Sequence, residues 1–198
     1  MDLSKRQKEI VEAAICLIAQ NGIEGLTTKA LSAAVGISEP ALYRHFSNKA
    51  EIVRAMIAYF DGDIETLKNV QSGWQFIKSF FAHRIEQVRT EPALANIIYS
   101  EELFIHNADY AGLMKEMMHR HRNMIMENIV IASKNGVIRN DIAPEMIFRM
   151  LAGSLRLLIK QYGMSGNAFD LCSESTILFD TWDTLFKIKY PSMSNQEV

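Results

Sequence analysis

The stretch that decides the fold is TTKALSAAVGISEPALYRHFSNK, residues 27–49. Thr27 can cap a first helix, because its hydroxyl can accept a hydrogen bond from an N–H group left free at the helix start. Gly36 can adopt the positive φ that ends a helix. Ser38 followed by Pro40 is typical of the start of a second helix. The stretch therefore predicts two short helices joined by a tight turn, which is the pattern of a helix-turn-helix.

The second helix separates an apolar side from a polar one. Leu42 and Phe46 are four residues apart and can face the core together. The second helix of a helix-turn-helix lies in the DNA major groove, where polar side chains reach phosphates and a glutamate can accept from a cytosine amino group. A pair of ordinary core helices with a solvated polar face fits the same pattern. The candidate DNA-contact residues are Thr27, Thr28, Lys29, Ser38, Glu39, Pro40, Ala41, Tyr43, Arg44, His45 and Lys49.

A longer pattern around this stretch resembles a known family. The run G-L-T-T-K-A-L-S-x-x-V-G-I-S-x-x-x-L-Y-R-H-F-x-N-K-x-E-I, which begins at Gly25, is similar to the DNA-binding domain of the tetracycline-repressor (TetR) family. The resemblance extends over about residues 8–58. It implies that the chain is a homodimeric transcriptional repressor that binds double-stranded operator DNA and is released from it by a small molecule.

The charge of the chain sets a limit on DNA binding by one copy. The formal net charge is −2, and residues 27–49 carry Lys29, Arg44 and Lys49 against Glu39 alone. A small positive patch predicts modest and strongly salt-dependent contact with DNA. We therefore expect two such patches to act together in a dimer.

The rest of the chain predicts an all-α fold of about nine helices. A three-helix DNA-binding domain (residues 1–50) is expected to pass through a connector helix (about residues 48–70) into a larger helical ligand-binding and dimerisation domain (residues 51–190). Residues 191–198 form a polar tail. Apolar residues at helical spacing and Gly, Pro and Asn breaks set the later helices at about residues 74–91, 92–104, 110–134, 144–162 and 170–189.

Methionine and phenylalanine side chains predict an adaptable apolar cavity in the larger domain. Flexible thioethers line such cavities between helices, although they also fill ordinary cores. The candidate ligand-binding residues are Phe80, Phe81, Phe104, Met114, Met117, Met118, Phe148 and Leu151. Four cations in otherwise apolar helices can pair with an anionic ligand, form salt bridges or reach the surface: Arg84, Arg149, Arg156 and Lys160.

The last two predicted helices carry broad apolar faces. If one face of each packs inward, the remainder would form a large exposed patch unless a second subunit covers it. In the family that the chain resembles, these two helices form a four-helix bundle between subunits. The alternative is that both helices are fully internal. The candidate dimer-interface residues are Leu155, Leu158, Ile159, Leu178, Trp182 and Leu185.

Other classes of site lack a matching pattern. His119 and His121 are two residues apart on a helix and point to different faces, so we expect no metal site. No phosphate loop, dinucleotide fingerprint or nucleophile elbow occurs, so we expect neither a cofactor nor enzymatic activity. Cys16 and Cys172 are predicted to be buried thiols without a disulfide. No signal peptide and no apolar run of about 18 residues is present, which predicts a cytoplasmic protein without a membrane partner.

The sequence thus favours a homodimeric, ligand-responsive DNA-binding regulator, with a small apolar or amphipathic effector. An activator would show the same features. The alternative is a small-molecule or partner-binding helical module that has lost specific DNA recognition. A helical-bundle enzyme would require a polar cluster inside the cavity.

Overall fold

A computed structural model describes residues 3–61, 64, 71–97 and 108–188. These residues form an all-α fold with an N-terminal helix-turn-helix and a larger helical domain, as predicted. The described part contains eight α-helices and two short 3-10 helices, at Ile23–Gly25 and Pro92–Asn96. The α-helices are α1 (Lys5–Asn21), α2 (Thr28–Val35), α3 (Glu39–Tyr43), α4 (Lys49–Asp61), α5 (Gly73–Thr90), α6 (Ala108–Lys134), α7 (Pro144–Met164) and α8 (Leu171–Phe186).

Helix α1 is the support on which the helix-turn-helix rests. It begins with a capping box in which the Ser4 hydroxyl accepts from the Gln7 N–H and the Gln7 side chain accepts from the Ser4 N–H. Its buried face packs against both α2 and α4. Leu42 and Phe46 are buried against the same core, as their spacing predicted. The three-helix core therefore fixes the position of α3.

The turn between α2 and α3 follows the predicted capping residues. The Thr27 hydroxyl accepts from the Ala30 N–H at 3.1 Å, and the Ser38 hydroxyl accepts from the Ala41 N–H at 3.3 Å. Gly36 ends α2 in the left-handed region with φ 71°, a conformation that a side chain would strain. These local signals are sufficient to determine the geometry of the turn.

The start of α4 differs in one detail from the prediction. Asn48 accepts from the Glu51 N–H at 2.9 Å, but the Glu51 carboxylate accepts in return from Ser47, through its N–H at 2.6 Å and its hydroxyl at 2.7 Å. The reciprocal cap therefore spans four residues rather than three. The predicted connector helix is described up to Asp61, and the remainder of its range falls largely outside the described residues.

The larger domain is held by polar ties between distant helices as well as by its core. Asp183 of α8 accepts from Trp74 Nε1 at 2.6 Å and from Lys78 Nζ at 2.9 Å, which joins α8 to α5. The buried Asn128 of α6 accepts from the Gly73 N–H at 2.7 Å. These contacts fix the start of α5 against both α6 and α8.

The predicted sixth helix (residues 92–104) begins as a different element. Its described part is the 3-10 helix Pro92–Asn96, and the rest, including Phe104, lies outside the described residues. The 3-10 helix packs against α1, α5 and α7. The larger domain therefore contacts the DNA-binding domain through this segment as well as through α4.

The C-terminal end of α8 pairs with the α6–α7 turn. The Arg139 N–H donates to the Phe186 carbonyl at 2.8 Å, and the Ile188 N–H donates to the Val137 carbonyl at 3.2 Å. This pairing ends α8 at Phe186, before the predicted residue 189. The tail beyond residue 188 lies outside the described residues.

Two further expectations concern exposure and membranes. Cys16 and Cys172 are both free, but Cys172 is exposed and Cys16 only half-buried, so the prediction of buried thiols was wrong. The first turns of α8 face solvent at that position. Within the described ranges, no helix has the length and apolar character required to span a bilayer.

Candidate functional site

The surface formed by α2, α3 and the start of α4 carries all the predicted DNA-contact residues. None of the eleven is buried. Tyr43 exposes 49% of its surface although it is aromatic, and it lies at the C-terminal end of α3. Exposed residues are Thr27, Lys29, Ser38, Glu39, Pro40, Tyr43 and Arg44, and half-buried residues are Thr28, Ala41, His45 and Lys49.

Two residues of this surface contact each other across the turn. The Thr28 hydroxyl, at the start of α2, donates to the Glu39 carboxylate, at the start of α3, at 2.8 Å. The hydrogen bond restricts the orientation of the Glu39 carboxylate and keeps its remaining lone pairs available. An oriented carboxylate at the N-terminal end of α3 can accept a hydrogen bond from a base.

Backbone contacts hold the flanks of the same surface. Lys49, the first residue of α4, donates through Nζ to the Ile23 carbonyl at 3.3 Å, which places its charge beside the 3-10 helix that precedes α2. The Gln7 side-chain amide of α1 donates to the His45 carbonyl at 3.2 Å and fixes the turn after α3. A lysine beside free helix N–H groups attracts an anion such as a phosphate.

A cavity of about 300 Å³ lies among α4, α5, α6 and α7 in the larger domain. This volume lies at the lower end of the range for small-molecule sites. Its apolar lining consists of Phe60, Phe80, Phe81, Met117, Met118, Ile125, Phe148, Ala152 and Gly153. Its polar lining consists of Arg84, His121, Arg122, Arg149 and Arg156.

Five of the eight predicted ligand-binding residues line this cavity: Phe80, Phe81, Met117, Met118 and Phe148. Met114 and Leu151 do not line it and instead belong to the surrounding hydrophobic core. The prediction placed them in the cavity because periodicity does not separate a core position from a cavity position. Lys160 is exposed and also lies away from the lining.

Sequence reasoning missed part of the lining, although a signal for it exists. On α6, the lining residues Met117, His121 and Ile125 are spaced at four-residue intervals. On α7, Phe148 and Ala152 follow the same spacing and Arg156 continues it. Residues at such spacing share one face of a helix. In the sequence, polar residues such as His121 and Arg156 fall within these series, so neither series is recognisable as an apolar face.

Arg84 joins the wall of the cavity to the end of α4. The side chain is 3% exposed. Its Nη1 donates to the Phe60 carbonyl and to Gln87 Oε1, the latter at 2.7 Å. Its Nη2 lies 3.1 Å from His121 Nε2, and its guanidinium lies 5.2 Å from the centroid of the Phe80 ring. Arg84 thus links α5 to the Phe60 carbonyl of α4.

Asp61 is the last residue of α4, and its side chain contacts two residues of α6. Its carboxylate accepts from Arg120 Nη2 and lies 2.7 Å from His121 Nε2. Although burial opposes it, hydrogen bonding from His121 and Arg120 holds the pKa of Asp61 below its ordinary value. Burial, with help from the nearby Arg84, lowers the pKa of His121, and Asp61 only partly offsets that effect. We refer to Asp61, Arg120 and His121 as the Asp61 bridge.

The outer face of α7 and α8 requires a correction to the predicted dimer residues. Leu155, Ile159 and Trp182 are internal to the protomer, with 0%, 0% and 2% of their surface exposed. Trp182 Nε1 also donates to the Ser154 hydroxyl at 3.1 Å. These three residues pack α7 and α8 against their own chain and cannot form an intersubunit contact in this packing. Leu158 and Leu178 are half-buried, and Leu185 is exposed.

Other apolar side chains on these two helices do face solvent. Leu157 of α7 and Ile177 of α8 expose 57% and 59% of their surfaces. Met146 and Met150 of α7 are also exposed. These exposed side chains lie on a different apolar stripe of the two helices from Leu155, Ile159 and Trp182.

Histidines and acids do not assemble into a metal site in the described part of the chain. His119 is exposed, whereas His121 turns toward the cavity, as their two-residue spacing predicted. Each is therefore on a separate face of α6.

Known proteins are similar in sequence to this chain. Residues 10–56 match the family described as bacterial regulatory proteins, tetR family. The chain is 24% identical over 172 residues to the nucleoid occlusion factor SlmA of Vibrio cholerae serotype O1, covering 78% of this chain and 84% of that relative. It spans 56% of the same-named protein of Haemophilus ducreyi, at 27% identity over 113 residues. The "Probable acrEF/envCD operon repressor" of Escherichia coli K12 is 20% identical over 185 residues, covering 89% of this chain and 84% of the relative.

Solved structures share the fold over most of this chain. The regulator FadR from Bacillus subtilis, in complex with stearoyl-CoA, gives a TM-score of 0.72 at 16% identity, covering 89% of this chain and 97% of that one. AibR, in complex with isovaleryl coenzyme A and operator DNA, gives a TM-score of 0.70 at 21% identity, covering 92% of this chain and 98% of that one. At these identities the similarity concerns the arrangement of helices.

Proposed function

Because this chain belongs to the tetR family of bacterial regulatory proteins and is a DNA-binding regulator, we propose that it acts as a homodimeric repressor. In this proposal a small amphipathic molecule binds in the cavity and releases the protein from its operator. Relatives support both parts. One is named as an operon repressor, and two structures of the same fold hold acyl-coenzyme A molecules.

The observation that carries the proposal is the position of α4 between the two sites. Phe60, near the C-terminal end of α4, lines the cavity. Lys49, at its N-terminal end, contacts the segment that precedes α2. The helix has 13 residues, so the two ends are about 20 Å apart. A ligand that contacts one end of α4 therefore acts on the helix that supports the DNA-binding surface.

The mechanism requires two arrangements of α4 with different affinities. DNA favours the arrangement in which two α3 helices reach successive major grooves of one operator. A ligand that binds more tightly to another arrangement lowers DNA affinity by that difference. In this mechanism Phe80, Phe81, Met117, Met118 and Phe148 contact the apolar part of the ligand.

Dimerisation provides the second DNA-binding surface. The exposed apolar side chains of α7 and α8, including Leu157 and Ile177, are the surfaces that a second copy would cover. One α2–α3 surface has a small positive charge, and phosphate contacts add across two half-sites. Tight operator binding therefore depends on the dimer.

DNA binding can be measured directly by fluorescence anisotropy. The purified chain should bind DNA from upstream of its own gene more tightly than shuffled DNA of the same composition, and affinity should fall steeply between about 50 and 200 mM salt. Equal affinity for both DNAs would instead support a helical module without specific recognition. Molecules that co-purify in the cavity, identified by mass spectrometry, should reduce operator binding when added back, and a promoter reporter separates repression from activation.

A further inference from the structure

The cavity combines an apolar interior with a strongly cationic wall. Four arginines and His121 line it, and no acidic side chain lines it in the part of the chain that the structure describes. Among the described residues, Asp61 contacts His121 from the α4 side. A cluster of cations favours an anion, and solvent screens the attraction least at Arg84, which is buried, and more at Arg122 and Arg149, which are exposed.

Two of the cations lie over aromatic rings of the cavity lining. Arg84 lies over Phe80, and the Arg122 guanidinium lies 5.9 Å from the centroid of the Phe148 ring. Planar guanidinium groups bind carboxylates and phosphates through paired N–H donors. The phenylalanines around them provide surface for a hydrocarbon chain. The two parts of the lining therefore match the two parts of an anionic amphiphile.

The Asp61 bridge is located where a bound anion would compete with it. His121 belongs both to the bridge and to the cavity lining, and its Nε2 lies 2.7 Å from Asp61 and 3.1 Å from Arg84. An anion that approaches Arg84 and His121 from the cavity would compete with the Asp61 carboxylate for His121, because His121 is the one residue that faces both. The negative charge of a bound anion and that of the Asp61 carboxylate would repel each other if both contacted His121.

We propose that the effector is an amphiphile with a negatively charged head group, and that this head group displaces Asp61 from His121 when it binds in the cavity. The displacement opens the Asp61 bridge, which ties the end of α4 to α6. Helix α4 then leaves the arrangement that favours DNA. This inference rests on the proposed function for its DNA consequence, whereas the preference for an anion concerns the cavity alone.

The head-group preference is tested by calorimetry with three probes that share a ten-carbon chain. Decanoate and decanoyl-coenzyme A carry the charge in different groups, and decanol carries none. We expect at least one anion to bind about tenfold or more tightly than decanol, as the loss of a charged hydrogen bond predicts. Comparison of the two anions distinguishes a free acid from a coenzyme A thioester. Equal affinity for all three probes would overturn the proposal.

The variant Arg122→Gln should lower the affinity for the anions by a similar factor and leave the affinity for decanol unchanged. Lys160→Gln is the matched control, because it removes a cation from α7 that does not line the cavity. Equal losses for decanoate and decanol in Arg122→Gln would indicate a packing role only and would contradict the proposal.

The bridge is tested by Arg120→Gln, because Arg120 belongs to it without lining the cavity. Electrostatics alone predicts weaker anion binding, since a nearby positive charge is lost. A weakened bridge predicts the opposite: anion affinity should rise and ligand-free DNA affinity should fall, each by about fivefold or more. Asp61→Asn should lower ligand-free DNA affinity in the same direction. Arg89→Gln breaks a surface pair with Glu86 on α5 and should change neither affinity.

The possible failures are distinguishable. If the chain binds its operator but no anion, the anionic effector is wrong and the DNA-binding function stands. If anions bind in an Arg122-dependent manner and no operator preference exists, the repressor function and the release step are wrong. Unchanged DNA affinity in both bridge variants, with normal folding by circular dichroism, would overturn the role of Asp61.

Discussion

The hydroxyl of Thr28 donates a 2.8 Å hydrogen bond to the carboxylate of Glu39 and thereby links the first turns of α2 and α3. In a helix-turn-helix these first turns face the DNA. The hydrogen bond selects one orientation of Glu39 before DNA is bound. We therefore expect the pair to influence which DNA sequence is preferred rather than the overall affinity.

We expect Thr28→Val to broaden sequence preference with little loss of stability. An exposed hydrogen bond of this kind contributes on the order of 1 kcal/mol to folding. Binding to a panel of single-base operator variants should show smaller differences at the base pairs nearest Glu39. Thr27→Ser, which retains the capping hydroxyl beside it, is the control and should preserve the preference. An unchanged preference profile in Thr28→Val would show that the hydrogen bond does not orient Glu39 for DNA.

Lys49 is expected to contribute to binding without regard to sequence. Its ammonium lies at the N-terminal end of α4, beside the Ile23 carbonyl. Lys49→Ala should weaken binding to all sequences by a similar factor and reduce the slope of log affinity against log salt by about one per half-site. Lys115→Ala, an exposed lysine of α6, should leave the slope unchanged. A selective loss for one operator would assign Lys49 to base recognition instead.

Dimerisation is expected to depend on the exposed apolar residues rather than on the buried ones. Leu157→Glu or Ile177→Glu should produce a folded monomer by light scattering, with much weaker operator binding, because a charge would be buried in the interface. Asn123→Glu adds the same charge to an exposed position on α6 and should leave the dimer intact. A dimer that persists in both α7 and α8 variants would place the interface elsewhere.

Stability should depend on pH through His121. Burial lowers the pKa of His121 in the folded chain, so the unfolded chain binds a proton at higher pH than the folded chain does. Stability should therefore fall as pH decreases below about 6.5, the ordinary histidine value. Asp61 has a lowered pKa in the folded chain, so its contribution is lost later, as pH falls below about 4. Arg84 and Arg120 face the same pair and remain charged throughout.

The test is urea unfolding between pH 5 and 7. One histidine contributes a slope of at most about 1.4 kcal/mol per pH unit. His121→Asn should flatten the dependence in this window, whatever its effect on absolute stability. His119→Asn replaces an exposed histidine of the same helix and should preserve the dependence. An unchanged slope in His121→Asn would show that another group titrates there.

The helix-turn-helix was predictable because its determinants are local. Thr27 and Ser38 cap helices through residues three positions away, and Gly36 requires no distant partner. The bridge between Asp61 and His121 was not predictable, because its members are separated by 60 positions and belong to different helices. The charges in the sequence do not show which acidic side chain forms a hydrogen bond with which histidine.

The predicted dimer residues show a different limit. Helix α7 carries more than one apolar stripe, and periodicity does not show which stripe faces the protein interior and which faces solvent. Leu155 and Ile159 turned out to face the interior, whereas Leu157 faces solvent. Direction is decided by the packing of α8 against α7, through contacts such as that between Trp182 and Ser154. Only the tertiary structure contains this information.

The contact between α1 and the 3-10 helix Pro92–Asn96 constrains how the two domains can move. A DNA-binding domain attached through α4 alone could rotate freely about one end of that helix. Here the domain also contacts the 3-10 helix Pro92–Asn96 through α1, so a change in its orientation must slide α1 across that helix. Movement of this type is a shear between packed surfaces, which proceeds in small steps and favours discrete end positions. The distance between the two DNA-reading helices of a dimer would then switch between fixed values instead of varying continuously.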